Sequence, residues 1–187
     1  MINKIYRLQN TDSLAKIFKA NKKLPSIRMP KIFEEHFFLN IQNEIDKIKF
    51  KKNEQLMEAR FQYALLPSLD KLLNSKECLQ LFSFIIRKKI LKCSGKLYSF
   101  GWKDYTLLHD EMMEKPGYDV IVDLSAWDDA CGGYVTYSDG MGDSNKLSSS
   151  PNTLTLAFRG KKMQKYIKYV NNKAGKKKRY LYMGKLF

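Results

Sequence analysis

Tyr118-Asp-Val-Ile-Val-Asp-Leu124 is a β-branched run entered through Pro116-Gly117, and it reads as a strand. Downstream, Gly132-Gly133-Tyr-Val-Thr-Tyr137 is a second strand, closed by Ser-Asp-Gly-Met-Gly. Asn152-Thr-Leu-Thr-Leu-Ala-Phe158 alternates strictly after Pro151 in a serine-rich loop. Tyr166 to Asn171 and Arg179 to Met183 are two more. Short strands separated by turn residues predict a sandwich or barrel over residues 96–187.

Upstream, residues 1–95 read as mainly helical. Asp12-Ser-Leu-Ala-Lys-Ile-Phe-Lys-Ala20 places a capping residue before apolar positions at helical spacing. Pro25 and Pro30 break the chain after it. Phe33 to Phe50 has apolar residues at 37, 38, 41, 45 and 48, a helical stripe. Ser68 to Leu73 and Lys76 to Ile90 supply further helices. The reading is one α+β domain over residues 1–187, with helices covering one face of the strands.

Composition narrows the class. The 187 residues are 44% hydrophobic and 13% aromatic, enough for a sizeable core. No apolar run approaches the 18 or so residues that a membrane span needs. The N-terminus, Met-Ile-Asn-Lys-Ile-Tyr-Arg, lacks the apolar segment of a signal peptide. Cys78, Cys93 and Cys131 show no CxxC spacing, which argues against structural zinc and for a reduced, cytoplasmic chain. The net charge of +15 favours acidic partners, nucleic acid or a ribosome, although the lysines are spread along the chain as ordinary solvated positions would be. The densest cluster is Lys176-Lys177-Lys178-Arg179.

Chemistry is concentrated in Tyr105-Thr-Leu-Leu-His-Asp-Glu111. In an extended segment Tyr105, Leu107, His109 and Glu111 share one face, so an imidazole and a carboxylate converge. His109 and Glu111, with Asp110 between them, are the candidate metal ligands. His36, the other histidine, lies far upstream on a helical stripe. Near the C-terminus, Asn172-Lys-Ala-Gly175-Lys-Lys-Lys reads as a turn joining two strands. With Ala174-Gly175 at its centre, Val170 faces Arg179 and Lys168 faces Leu181, on one side of the sheet. An inward Arg179 suits bidentate capture of a carboxylate.

The order of these pieces resembles the iron(II)- and 2-oxoglutarate-dependent oxygenases of the prolyl-hydroxylase type. It runs from a tyrosine-containing strand through His109-Asp-Glu, the 118–124 strand, Trp127, Gly132-Gly133 and Pro151-Asn-Thr-Leu to Lys168-Tyr-Val170 and Arg179. The resemblance covers residues 95–187. It implies a double-stranded β-helix, or jelly roll, with Fe(II) and 2-oxoglutarate as cofactors. His109 resembles the first iron ligand, and Glu111 falls where the family has aspartate. Arg179 resembles the arginine that holds the far carboxylate of 2-oxoglutarate, with Tyr98 or Tyr105 as a hydrogen-bonding companion. Lys168 falls on the distal histidine, so the catalytic set is His109, Glu111 and Lys168.

An ammonium cannot ligate a metal. Lys168 either deprotonates, helped by burial and a nearby dication, or stays charged and fills the site by pairing with Glu111. Two function classes follow: a dioxygenase hydroxylating a prolyl or other side chain of a protein substrate, or a catalytically degenerate β-helix protein. The latter would bind nucleic acid or an acidic partner through its basic surface. A narrower version keeps 2-oxoglutarate on Arg179 without turnover.

Overall fold

The computed structural model describes residues 1–6, 11–55, 59–106, 115–139 and 144–187. Among these, the helices are α1 (Thr11–Ala20), α2 (Glu35–Lys47), α3 (Pro67–Leu73) and α4 (Lys76–Ile86). The first strands are β1 (Ser26–Pro30), β2 (Lys51–Gln55), β3 (Ala59–Ala64), β4 (Cys93–Phe100) and β5 (Tyr105–Thr106). They are followed by β6 (Gly117–Asp123), β7 (Val135–Ser138), β8 (Ser144–Leu147), β9 (Thr153–Arg159), β10 (Gln164–Ile167) and β11 (Arg179–Leu186). The larger sheet runs β1-β9-β6-β11-β4-β3-β2, with β5 joined to β3, and the smaller runs β10-β7-β8. Every pairing is antiparallel. Thr106 links the two sheets: its hydroxyl accepts the Ile167 N–H of β10 at 2.8 Å. Apart from β2–β3 and β7–β8, neighbouring strands come from distant parts of the sequence, and the two sheets share one interior, which is the jelly roll expected.

The central strands are covered on both faces. β6 therefore reads as a nearly continuous apolar run instead of alternating. Val120 and Val122, with Leu154, Leu156 and Tyr182, face the helices. Ile121, Ala157 and Leu181 face the space between the sheets, against Val135, Tyr137 and Ile167. α4 shows how the outer layer is fixed. The Ser75 hydroxyl accepts the Cys78 N–H at 3.3 Å and caps the first turn. Arg87, in the left-handed region at φ 60°, ends the helix. Leu81, Phe82 and Ile85 are thereby buried against the sheet. Each contributes about 1.5–3 kcal/mol, and cutting Phe82 to alanine costs about 3–5 kcal/mol.

The structure departs from the sequence reading in two places. Residues 1–95 supply strands β1, β2 and β3 as well as helices, and β4 begins within them at Cys93. β2 carries Lys51, Lys52, Asn53 and Glu54 on an outer edge, so no apolar alternation marks it. The second correction is the C-terminal hairpin, which does not form. β10 pairs with β7, whereas β11 lies between β4 and β6, with Leu181 opposite Tyr98 and Asp123. The reason is local. The Asn171 side chain accepts the Lys173 N–H at 2.9 Å and caps a 3-10 turn at Asn172–Ala174, which leaves through Gly175 at φ 56°. Buried Val170 and Ala174 anchor that turn, and it carries the chain from the small sheet to the large one. Lys168 and Arg179 therefore do not share a face.

Gly132 and Gly133 make the crossing fit, with φ of 78° and 68°. A Cβ on Gly132 would lie 2.0 Å from the Tyr169 carbonyl oxygen. The close backbone approach expected of this pair is present.

Candidate functional site

The interior between the sheets holds two buried ion pairs. The first sits where β11 begins and β6 ends. Arg179 is 2% exposed, and its Nη2 donates to Asp123 Oδ2 at 2.7 Å. Its Nη1 donates to the Gly133 carbonyl at 2.7 Å. Asp123 Oδ2 also accepts the Ser150 N–H at 3.1 Å. Two polar atoms of the pair, Asp123 Oδ1 and Arg179 Nε, meet no partner among the described residues. Burial pushes the Asp123 carboxyl above its ordinary range, while Arg179 and the Ser150 amide pull it back. The space beside the pair, walled by Ile121, Val135, Leu147 and Thr155, amounts to about 10 Å³.

The second pair lies deeper. Asp119 is fully buried; its Oδ2 accepts from Arg159 Nε at 3.2 Å and from the Tyr137 hydroxyl at 2.9 Å. Lys165 Nζ stands 3.4 Å from the same oxygen. Arg159 Nη1 reaches the Lys115 carbonyl at 3.0 Å. Alternation along β6 turns Asp119, Ile121 and Asp123 to the same side, and β9 does likewise with Thr155, Ala157 and Arg159.

The other expected residues are dispersed. Tyr98 packs in the interior, its ring 6.3 Å from Phe100 and 5.3 Å from Phe61. It is opposite Leu181, one same-face step along β4 from Phe100, the partner of Arg179. Tyr105 pairs with Arg60 on β3, and its ring lies 6.2 Å from that of exposed Tyr169. Lys168 is exposed; its backbone bonds to Tyr134 and Gly133, and its side chain makes no ion pair among the described residues. His109, Asp110 and Glu111 lie outside the described residues. Among those described, no three His, Cys, Asp or Glu side chains converge to hold a metal.

A cleft of about 340 Å³ opens near the same end of the barrel. Lys52, Arg60, Trp102, Lys176, Lys177 and Lys178 line it, together with Glu54 and Asp104. Arg60 Nε lies 3.4 Å from Asp104, whose carboxyl is pushed up by burial. Lys178 Nζ donates to Gln62 at 3.3 Å, and Lys103 sits 4.5 Å above the Trp102 ring. The backbone connects this wall to the sheet crossing: Val170 N–H donates to the Asp104 carbonyl, and Lys103 N–H to that of Val170.

Sequence reasoning missed both carboxylates of β6. A signal was present: aspartates four apart on one face of a strand, in a run too apolar to be exposed, require buried cations. Arg159 and Arg179 are those cations.

A prolyl hydroxylase from Trichoplax adhaerens, in complex with a peptide of the hypoxia inducible factor oxygen degradation domain, has a TM-score of 0.71 at 13% identity, over 99% of this chain and 94% of that one. A prolyl-4-hydroxylase from Pseudomonas putida has a TM-score of 0.67 at 10% identity, over 92% and 97%. The fold is that of the prolyl hydroxylases. An oxidoreductase of the 2OG-Fe(II) oxygenase family from Burkholderia pseudomallei has a TM-score of 0.66 at 10% identity, over 100% and 92%. No family model matches the sequence.

A pocket for 2-oxoglutarate needs a buried cation and room for five carbons. Arg179 is the right group in the right setting: a guanidinium walled off from water favours a carboxylate, and it holds one. That carboxylate belongs to Asp123. The remaining space suits about one water molecule, whereas a five-carbon diacid is many times larger. As they stand, these residues do not fit the cosubstrate.

Proposed function

We propose that this protein is an iron(II)- and 2-oxoglutarate-dependent oxygenase that hydroxylates a prolyl or other side chain of a protein substrate. The observation that carries this reading is the architecture, shared with prolyl hydroxylases along nearly the whole chain, with a guanidinium, Arg179, buried between the sheets. The sequence supplies the metal donors His109, Asp110 and Glu111 in the segment that β5 opens. The peptide bound to the Trichoplax protein supports a protein substrate. The cationic cleft beside the β4–β5 loop suits an acidic stretch of such a chain. In this reading Arg179 would be the group to hold a carboxylate of the cosubstrate, and Asp123 occupies it in this structure.

The Asp123–Arg179 pair itself favours a second reading, in which the pocket stays closed and the protein is catalytically degenerate. Its working surface is then the cleft around Trp102 and Lys176–Lys178, which takes an acidic partner or nucleic acid. Anaerobic titration with Fe(II), with and without 2-oxoglutarate, separates the two. The first reading expects the weak visible charge-transfer band of the chelated complex, lost in His109→Ala. Loss of the band in Lys168→Ala would make Lys168 a ligand. A folded protein that takes up neither metal nor cosubstrate overturns the oxygenase reading.

A further inference from the structure

We propose that Asp123 is a resident carboxylate: it fills, from within the chain, the anion site that Arg179 forms inside the barrel, and a small external carboxylate enters only when Asp123 gives up that place. The inference rests on the oxygenase reading for one point, the identity of the natural competitor as 2-oxoglutarate. The anion site itself stands on this chain's geometry.

Arg179 is held rigidly. It begins β11, is 2% exposed, and spends Nη1 on the Gly133 carbonyl at 2.7 Å. That carbonyl belongs to the glycine pair locked against Tyr169 and Val170. The guanidinium is therefore aimed before any anion arrives. Asp123 supplies the anion, but incompletely. Its Oδ2 takes one guanidinium N–H at 2.7 Å and the Ser150 amide at 3.1 Å, while Asp123 Oδ1 and Arg179 Nε both remain without a partner among the described residues. A guanidinium offers a fork, and an ideal carboxylate fills two prongs side by side. The side chain of Asp123, tethered at the end of β6, fills one. It is an occupant that a better-placed carboxylate can outcompete.

Volume decides what happens with Asp123 in place. The adjoining space of about 10 Å³ excludes even acetate. Removing the Asp123 carboxylate, as Asp123→Ala does, opens room for a group of that size and leaves a desolvated guanidinium behind it. An uncompensated buried charge recruits an anion or destabilises the fold.

The test uses the full chain without iron, with sodium acetate and 2-oxoglutarate as probes. Thermal melts and calorimetric titrations are run on wild type, Asp123→Ala and Asp123→Ala/Arg179→Met. Asp123→Ala is expected to melt below wild type and to regain stability saturably with added carboxylate. It should bind acetate about tenfold or more tightly than wild type does, the scale of a charge-assisted hydrogen bond. The double variant should not respond. Equal affinity in wild type and Asp123→Ala overturns the proposal, as does a folded Asp123→Ala that ignores both carboxylates. If Asp123→Ala does not fold, Asp123→Asn keeps the shape and loses the charge; it should respond more strongly than wild type, and a wild-type response overturns the proposal. Rescue by acetate but not by 2-oxoglutarate would support the resident carboxylate while removing the oxygenase reading. A wild-type iron and 2-oxoglutarate complex as tight as that of Asp123→Ala would do the reverse.

Discussion

Replacing Asp119 with alanine removes the carboxylate at the centre of the deeper network, and the structure sets the size of the effect. Asp119 Oδ2 faces Arg159 at 3.2 Å, Lys165 at 3.4 Å and the Tyr137 hydroxyl at 2.9 Å. The two cations respond differently. The Lys165 side chain is 15% exposed and can swing its ammonium toward water, so its loss is small. Arg159 is 1% exposed and stays where it is, with the Lys115 carbonyl still accepting from it. The cost is that of removing one partner from a buried ion pair, about 3–5 kcal/mol. For a chain of 187 residues this lowers Tm by about 6–20 °C, at about 2–4 °C per kcal/mol. Differential scanning calorimetry and urea melts read it directly. The double variant Asp119→Leu/Arg159→Met should recover most of the loss, because it removes both charges and fills the space with apolar atoms. A drop in Tm below about 2 °C for Asp119→Ala, or a double variant no better than the single, would refute the reasoning.

Other substitutions probe other parts of the molecule. Gly132→Ala combines a φ of 78° with a Cβ 2.0 Å from the Tyr169 oxygen, so it should cost well over ~1 kcal/mol; Gly160→Ala, whose Cβ would meet nothing nearer than 4.0 Å, is the neutral control in the same melts. Lys168→Ala should leave Tm unchanged within about 2 °C, as an exposed side chain outside any described ion pair does; a large drop would place its ammonium in a buried pair. Burial raises the Cys78 thiol from 9.0 to about 11 and Cys93 from 9.0 to about 12. Native protein at neutral pH should therefore resist thiol reagents at both. Since the folded values are the higher ones, the stability these neutral thiols contribute is intact below 9 and lost as pH rises through about 11 and then 12, visible as a falling Tm on the alkaline side.

The sequence made some of this legible for physical reasons. β6, β9 and β11 carry β-branched or alternating side chains because they are the central, doubly packed strands, and they were read nearly in place. β1, β2 and β3 were not: a five-residue strand ending in Pro30 and a lysine-rich edge lack the apolar pattern that burial imposes. At the site, Arg179 reads as an inward arginine because Tyr180, Leu181 and Tyr182 follow it. Its partner is not legible in sequence, because Asp123 lies 56 residues earlier and meets it only through the β6–β11 register. The register of Lys168 differs because Asn172-Lys-Ala-Gly175-Lys-Lys-Lys reads as a hairpin turn and is not one. The decisive element, a side chain capping a turn of 3-10 helix, looks the same in sequence as a polar loop.

The outer rims of the large sheet have a consequence for the chain in a crowded solution. An open eight-stranded sheet presents two backbone edges able to recruit strands from other molecules. One is β1, which carries Arg28 and ends in Pro30, a residue with no N–H to offer a newcomer. The other is β2, where Lys51 and Lys52 stand exposed at the start of the strand. A second copy approaching either edge meets like charge or a missing donor before it can add a rung. Part of the lysine surplus thus keeps this sheet from growing beyond its own chain.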